Sequence, residues 1–470
     1  MSAPRVVTLT VGPMSHGGHC VARHQGRVVF VRHAIPGETV RAVVTEGDSS
    51  SKFWRADAVD VLQASDHRRR HPWKQADALR AYDHHQVPVG GADYGHISDL
   101  HQRRLKSHVF RDTMARIGGI DLAELDLPSA GADGELHMSA LPETSASGLH
   151  WRTRVSFAVA GGSLAMKPYR SHDLIPLRSM PLAVEAVGRS HLFSWDFAGA
   201  ESVDVVAPGG SAPVALVVRA PQDTGGSLAE RLTAQAREDP SVGSILLARV
   251  KSPAGQRSAG RRRRYHQLRP VQVDYQVLTG ERTVTEPLPV PAGEAVQLPP
   301  EGFWQIHRGA PKALVSAVDS MARLASGGTA VDLYAGAGLF TAWAAHTVGA
   351  SGQVLSVEAA EATSAAAAQL FQNHPQVEVV HAPAERIADR LESADVVILD
   401  PPRAGADNRV LTGIASSRPG QILYVSCDPA SFARDAKVLA ELGWQLADLQ
   451  LLDLYPNTHH MESVARFERN

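Results

Sequence analysis

Val331-Asp332-Leu333-Tyr334-Ala335-Gly336-Ala337-Gly338-Leu339-Phe340 reads as a short apolar strand, a tight glycine turn and the opening of a helix. Glycines in such a turn let the backbone approach a bound cofactor closely. Glu358, at the end of the next apolar run Val354 to Val357, is placed to accept ribose hydroxyls. The pattern therefore fits a nucleoside cofactor. A G-x-G also occurs in ordinary strand-to-helix turns, and the third glycine of the dinucleotide fingerprint is absent here, with Leu339-Phe340-Thr341 following instead. Taken alone, the stretch leaves both readings open.

Working outward, residues from Phe303 onward alternate between strand-like and helix-like runs. Ala330 to Leu333, Val354 to Val357, Val377 to His381, Val396 to Leu399 and Ile422 to Val425 are short and apolar, separated by helical stretches such as Ala362 to Phe371 and Phe432 to Leu442. This βαβ alternation predicts a mostly parallel sheet wrapped by helices, with ligands at the carboxyl ends of its strands. Asp400-Pro401-Pro402-Arg403 stands at one such end, where the two prolines force an extended, rigid exit. Ser426-Cys427-Asp428-Pro429 stands at another, and Asp428 and Pro429 suit the cap and first position of a helix. A helix dipole there favours the Cys427 thiolate, while Asp428 pushes the opposite way. Close to the carboxyl terminus, Asp453-Leu454-Tyr455-Pro456-Asn457-Thr458-His459-His460-Met461-Glu462 gathers a carboxylate and imidazoles that suit general-base work or simply a polar strand end. No metal-ligand spacing accompanies the paired histidines, so a metal site is not expected.

Upstream the character differs. Val6 to Val11, Val28 to Val31, Val40 to Val44 and Ala56 to Leu62 are β-type groups punctuated by Gly and Pro, which predicts a small closed β-barrel. His67-Arg68-Arg69-Arg70-His71-Pro72 reads as a solvated linker or a phosphate-contacting edge. Between Gly95 and Ile120, Ile97, Leu100, Leu105, Val109, Phe110, Met114 and Ile117 recur at helical spacing, with Arg103, Arg104 and Lys106 on the exposed face. Residues 122–300 mix strand-like runs with turns, an α+β region, and carry the Arg261 to Arg264 run, which suits either RNA or a loose hairpin tip.

The 470 residues suffice for roughly three domains at about 150 residues each. With 44% hydrophobic and 20% charged residues, global disorder is excluded. The 47 basic and 49 acidic residues nearly cancel, so any nucleic-acid binding must use local patches. Two cysteines, Cys20 and Cys427, exclude a disulfide framework and a four-cysteine cluster, and a cytoplasmic location is expected. No apolar run is long enough to suggest a membrane span, and no export signal is read at the amino terminus.

Phe303-Trp304-Gln305, the glycine turn at Asp332 to Gly338, Asp400-Pro401-Pro402-Arg403, Ser426-Cys427-Asp428-Pro429 and Tyr455-Pro456-x-Thr458-x-His460-x-Glu462 together resemble the bacterial RNA uracil-C5 methyltransferases acting on tRNA or 23S rRNA. His16-Gly17-Gly18-His19-Cys20-Val21-Ala22 and Pro36-Gly37-Glu38 resemble that family's TRAM domain. The resemblance implies a Rossmann-like class I methyltransferase domain over residues 301–470, an OB-like RNA-binding barrel over 1–64 and a central α+β RNA-binding domain over 65–300. It further implies that the helical segment 95–120 packs on the catalytic domain.

On that resemblance Cys427 attacks C6 of uracil and Glu462 removes the C5 proton, while Gln305, Asp332, Tyr334, Gly336, Glu358 and Asp400 hold S-adenosylmethionine or the pyrimidine edge. Many relatives carry an iron–sulfur cluster, but the comparable stretch Pro88 to Gly95 has no cysteine. His307 replaces an asparagine usual near the cofactor motif. Two other functions compete: an RNA-binding or folding module whose methyl transfer is lost or incidental, and an amino-group methyltransferase. Retention of Cys427 and Glu462 argues against the first. Arg403, where nitrogen-methylating enzymes carry an aromatic residue, argues against the second.

Overall fold

The computed structural model describes residues 5–222, 224, 226–250, 273–291 and 293–469; the Arg261 to Arg264 run lies outside these. By contact density the chain forms two compact units. One comprises Met1–Leu149, Pro287–Gln297 and Phe303–Asn470, and the other His150–Glu286 and Leu298–Gly302.

The first unit is built on an eight-stranded sheet ordered Val377–His381, Gln353–Glu358, Thr329–Leu333, Val396–Leu399, Gln421–Ser426, Glu462–Arg469, Trp444–Asp453 and Met138–Ala140. Its first five strands are parallel. Glu462–Arg469 then runs antiparallel to Gln421–Ser426. Every residue of Val396–Leu399 and of Gln421–Ser426 is buried, as central parallel strands covered on both faces require. Strand order reverses at Thr329–Leu333, so a crevice opens at its carboxyl end. Tyr334, Asp400 and Cys427 immediately follow their strands at that end, and Glu358 closes its own.

Six strands from Val6–Thr10 to Phe53–Gln63 form a separate sheet. Alternate residues point inward along Val6–Thr10, burying Val7 and Leu9 with Val29, Val31, Val40 and Ala42. Two strands, Met14–Ser15 and His19–His24, were not evident from hydrophobicity, because their apolar residues are too few to alternate.

The segment after this sheet corrects the sequence reading. The run at His67 to His71 is not a solvated linker. Arg68 makes a two-pronged ion pair with the buried Glu38, at 2.7 and 2.6 Å, and His71 is buried with Nε2 2.9 Å from the Ala92 carbonyl. Arg69 donates to Asn457 Oδ1 at 2.6 Å. Only Arg70 of the three arginines is exposed. The helix Asp99–Thr113 forms, followed by a wider turn at Met114–Gly118 and left-handed Gly119. Lys106, read as exposed, is wholly buried, with Nζ 2.6 Å from Asp453 Oδ1 and 3.0 Å from the Tyr455 carbonyl. Leu100, read as core, is exposed. A charge partner far along the chain overrides helical periodicity here. The helix lies against Pro429–Glu441, where Phe110 meets Phe432 at 5.8 Å between ring centroids.

The second unit carries a seven-stranded sheet, ordered Ile175–Pro176, Ser163–Met166, Arg154–Ala160, Ser202–Val206, Val214–Pro221, Val242–Val250 and Val273–Thr279. Helix Gly226–Glu238 crosses between its one parallel pair. It is thus an α+β unit. Among the described residues no helix is long and apolar enough to cross a membrane.

Candidate active site

A cleft beside the reversal point is lined by Phe303, Gln305, Tyr334, Gly336, Phe340 and Asp400, among others. Gly336 and Gly338 have φ of 57° and 94°, so the turn follows a path that side-chain-bearing residues rarely take. Tyr334 adopts φ 63°, a strained setting for a bulky residue. Glu358 braces the turn: Oε2 accepts the Gly336 N–H at 2.8 Å and Oε1 the Ala360 N–H at 2.5 Å. Its carboxylate thus points into the glycine turn rather than lying idle. Asp332 is fully buried beneath it and does not line the cleft. Burial pushes its carboxyl up to about 7, against the hydrogen bond donated by Thr341 Oγ1 at 2.6 Å. Asp332 Oδ1 is buried without a hydrogen-bond partner among the described residues.

Asp400 lines the cleft and interacts electrostatically with both Cys427 and Glu462. Ser426 pairs with Ser463, so the antiparallel register brings Glu462 alongside Cys427. Cys427 is half-buried with a free thiol. Burial, Glu462 and Asp400 push that thiol up to about 12, while Arg403 works in the opposite direction. The helix that begins beyond it offers little to a thiolate, because Asp428 Oδ1 already accepts the Ala430 and Ser431 amides at 2.9 Å each. To the two opposing influences read from the sequence, the helix dipole and Asp428, the structure adds burial, Glu462 and Asp400 on the side that disfavours the thiolate. Burial and Asp400 raise Glu462 well above the carboxylate range, and the Tyr455 hydroxyl donates to its Oε2 at 3.0 Å. Burial and then Asp332 raise Asp400 in the same way.

The turn carrying Tyr455 is held from outside. Asn457, at φ 65°, donates from Nδ2 to the carbonyls of Ser147 and Gly148 and accepts at Oδ1 from Arg69 and Gln102. His459 donates through its backbone N–H to Asp93 Oδ2, and its Nδ1 lies 2.8 Å from the same oxygen. These supports lie 300 or more residues away in sequence, and no local pattern signals them. His307 is buried, accepts the Gly309 N–H at Nδ1 and meets Thr144 Oγ1 at 3.0 Å; it does not line the cleft. Phe303, 64% exposed at the cleft mouth, is a lining residue to which sequence reading gave no role of its own.

A family described as tRNA (Uracil-5-)-methyltransferase matches residues 310–470, and the TRAM domain matches residues 5–59. An RNA methyltransferase of Streptomyces avermitilis, itself uncharacterized, is 33% identical over 465 residues, which cover 97% of both chains. The chain belongs to the TRAM-containing RNA uracil-C5 methyltransferase family. A 23S rRNA (uracil(1939)-C(5))-methyltransferase from a Shewanella strain is 26% identical, over 98% of this chain and 95% of its own. The fold is shared with a Pyrococcus abyssi tRNA (uracil-54, C5)-methyltransferase solved with S-adenosyl-L-homocysteine, at a TM-score of 0.67 and 18% identity, covering 98% of this chain and 100% of that one. Like its family, this member is an S-adenosylmethionine-dependent RNA methyltransferase.

The cleft suits that cofactor. It combines aromatic walls, a glycine turn open to close backbone approach and the Asp400 carboxyl. Two cysteines in the whole chain cannot supply the four thiolates of an iron–sulfur cluster, and among the described residues no group of three or more His, Cys, Asp or Glu could hold a metal ion.

Proposed function

We propose that the protein methylates C5 of one uridine in a structured tRNA or 23S rRNA through a covalent bond between Cys427 and C6 of the uracil. The observation that carries this reading is that the register sets Glu462 alongside Cys427 and that both interact with Asp400, which lines the cleft. An amino-group methyltransferase needs no thiol there.

Uracil C5 is a poor nucleophile. Cys427 first gives up its thiol proton to solvent; the thiolate then forms the S–C6 bond while the C5–C6 π electrons move to give an enolate with electron density at C5. Gln305, Tyr334 and Gly336 would hold S-adenosylmethionine at the glycine turn, which Glu358 braces and under which Asp332 is buried; the cofactor would supply an electrophilic methyl group and leave as S-adenosylhomocysteine. Glu462, positioned by Tyr455, then takes the C5 proton, and elimination frees Cys427. Asp400 serves the pyrimidine edge: protonated, it donates to a ring carbonyl, and ionised, it accepts from N3–H. The crowding of Asp400 and Glu462 favours one shared proton between them, so one acid and one base are present together.

The uridine must leave any stack it occupies, which costs a few kcal/mol and favours loops. In this reading the sheet of residues 1–64 grips RNA backbone as an OB-like barrel. Bonds from Gly12 N–H to Val21 O and from Val21 N–H to Pro13 O, at 2.8 and 2.9 Å, support closure by tying the end of the first strand to the third. Residues 65–300 contribute further RNA contacts, residues 301–470 carry methyl transfer, and the enzyme works in the cytoplasm.

Nucleoside mass spectrometry of tRNA and rRNA from cells with and without the gene should reveal one lost 5-methyluridine. With that RNA, Glu462→Ala should accumulate a covalent protein–RNA adduct, and Cys427→Ala should neither methylate nor form one. Full turnover by Cys427→Ala would falsify the covalent mechanism.

A further inference from the structure

The turn joining Met14–Ser15 to His19–His24 reaches the catalytic loop at two points. His16 Nε2 lies 3.3 Å from Oδ2 of Asp428, the residue that directly follows Cys427. Gly18, at φ 78°, packs so tightly that a Cβ there would sit 2.9 Å from Asp93 Oδ2 and 2.9 Å from Cβ of His459. The N-terminal sheet therefore touches both segments that flank the thiol: the loop carrying Cys427 and the turn leading to Glu462.

Asp428 uses each of its oxygens differently. Oδ1 accepts the two amides that open helix Pro429–Glu441, and Oδ2 faces His16. Its backbone carbonyl accepts from Ser426 Oγ at 3.2 Å, which closes a short loop around Cys427. Burial opposes the charge on Asp428, yet hydrogen bonds from His16 and from the Ser431 and Ala430 amides hold its carboxyl down to about 2. Without a donor at Oδ2 the carboxylate keeps only the two amides at Oδ1 and can tilt about its terminal bond, which loosens the loop behind it. The peptide of Cys427 is attached to whatever Asp428 does.

We propose that His16 is a positioning residue for methyl transfer, lent by the N-terminal sheet to fix Asp428 Oδ2 and so the direction in which Cys427 presents its sulfur. The proposal rests on Cys427 being the nucleophile. Groups facing Cys427 are Glu462, Asp400, Arg403 and Asp428; those beside the His16 turn are Asp93, His459 and His19. His16 links the two sets through its side-chain contact with Asp428.

The test uses the full chain without RNA first. Iodoacetamide labelling at Cys427 is followed by peptide mass spectrometry, with fully buried Cys20 as the reporter of unfolding. His16→Leu fills the space without a donor, whereas His16→Gln keeps an N–H. The leucine variant should change the Cys427 labelling rate by about threefold or more and lower kcat about tenfold, leaving KM for RNA nearly unchanged. The glutamine variant should restore both. Wild-type labelling and kcat in the leucine variant would overturn the proposal. So would a raised KM for RNA with kcat intact, which makes His16 an RNA contact instead. If labelling of Cys20 shows that the leucine variant is unfolded, His16→Ala takes its place with the same two readings. Labelling reports on the His16–Asp428 contact even if no methylated uridine is found, so failure of the broader function would be seen separately.

Discussion

The Tyr455 hydroxyl donates to Glu462 Oε2 at 3.0 Å inside a buried site where burial and Asp400 both disfavour a second negative charge. That bond favours the ionised form of Glu462 and holds the carboxylate in one orientation. Tyr455→Phe should therefore raise the Glu462 pKa further. With Glu462 as the proposed base, which works only when deprotonated, the acid limb of the kcat–pH profile should move up by about one pH unit, the worth of one hydrogen bond to a charged group. Loss of rate is then largest at low pH and vanishes at high pH. A parallel loss at every pH would mean that the hydroxyl acts elsewhere.

Cys427, pushed up to about 12 chiefly by burial and then by Glu462 and Asp400, is a thiol at neutral pH. Its alkylation rate in the free enzyme should rise about tenfold for each pH unit through the neutral and mildly alkaline range, since the thiolate fraction does. Asp400→Asn removes one of the negative charges opposing ionisation, so labelling at about pH 8 should accelerate severalfold. An unchanged rate would show that the thiol does not sense that carboxylate.

Lys106 and Asp453 are both buried and pair at 2.6 Å, while Lys106 also supports the Tyr455 carbonyl. Lys106→Met strands a buried carboxylate and should cost about 3–5 kcal/mol in urea unfolding. Lys106→Met combined with Asp453→Leu should recover most of that loss, because no unpaired charge remains. If the double variant is as unstable as the single one, the shape of the site rather than its charge balance is what matters.

Gly338 sits at φ 94°, and a Cβ on it would lie 2.8 Å from the Phe371 ring. Gly338→Ala forces the turn or the ring to shift at a cost of about 1–3 kcal/mol. Calorimetry with S-adenosylmethionine should show affinity weakened by about tenfold, with the rest of the chain folded. Unaltered affinity would remove the glycine turn from the cofactor site.

Much of the catalytic sheet is legible in the sequence because its strands are short, wholly apolar and separated by helical runs. Its strand ends then locate Tyr334, Asp400 and Cys427 at one edge. Asp332 escapes that logic: its position marks the turn, yet its side chain is buried below the cleft. What local pattern cannot supply is a partner far along the chain. Helical spacing puts Lys106 outside, whereas Asp453, 347 residues away, brings it in. The arginines after His67 look like a solvated charge run until Glu38 and Asn457 are seen to receive them. Strand His19–His24 has the same problem at shorter range, since its inward residues include histidine and cysteine rather than a run of aliphatics.

Met138–Ala140 forms the sheet edge against Trp444–Asp453, and Ser147 and Gly148 hold Asn457. Segments synthesised in the first third of translation thus wait for nearly the last ones before their backbone groups find partners. A ribosome-bound nascent chain lacking its tail has no strand to pair with Met138–Ala140 and no Glu462 to face Cys427. On the proposed mechanism, methyl transfer has to await the seating of Glu462–Arg469 between Gln421–Ser426 and Trp444–Asp453.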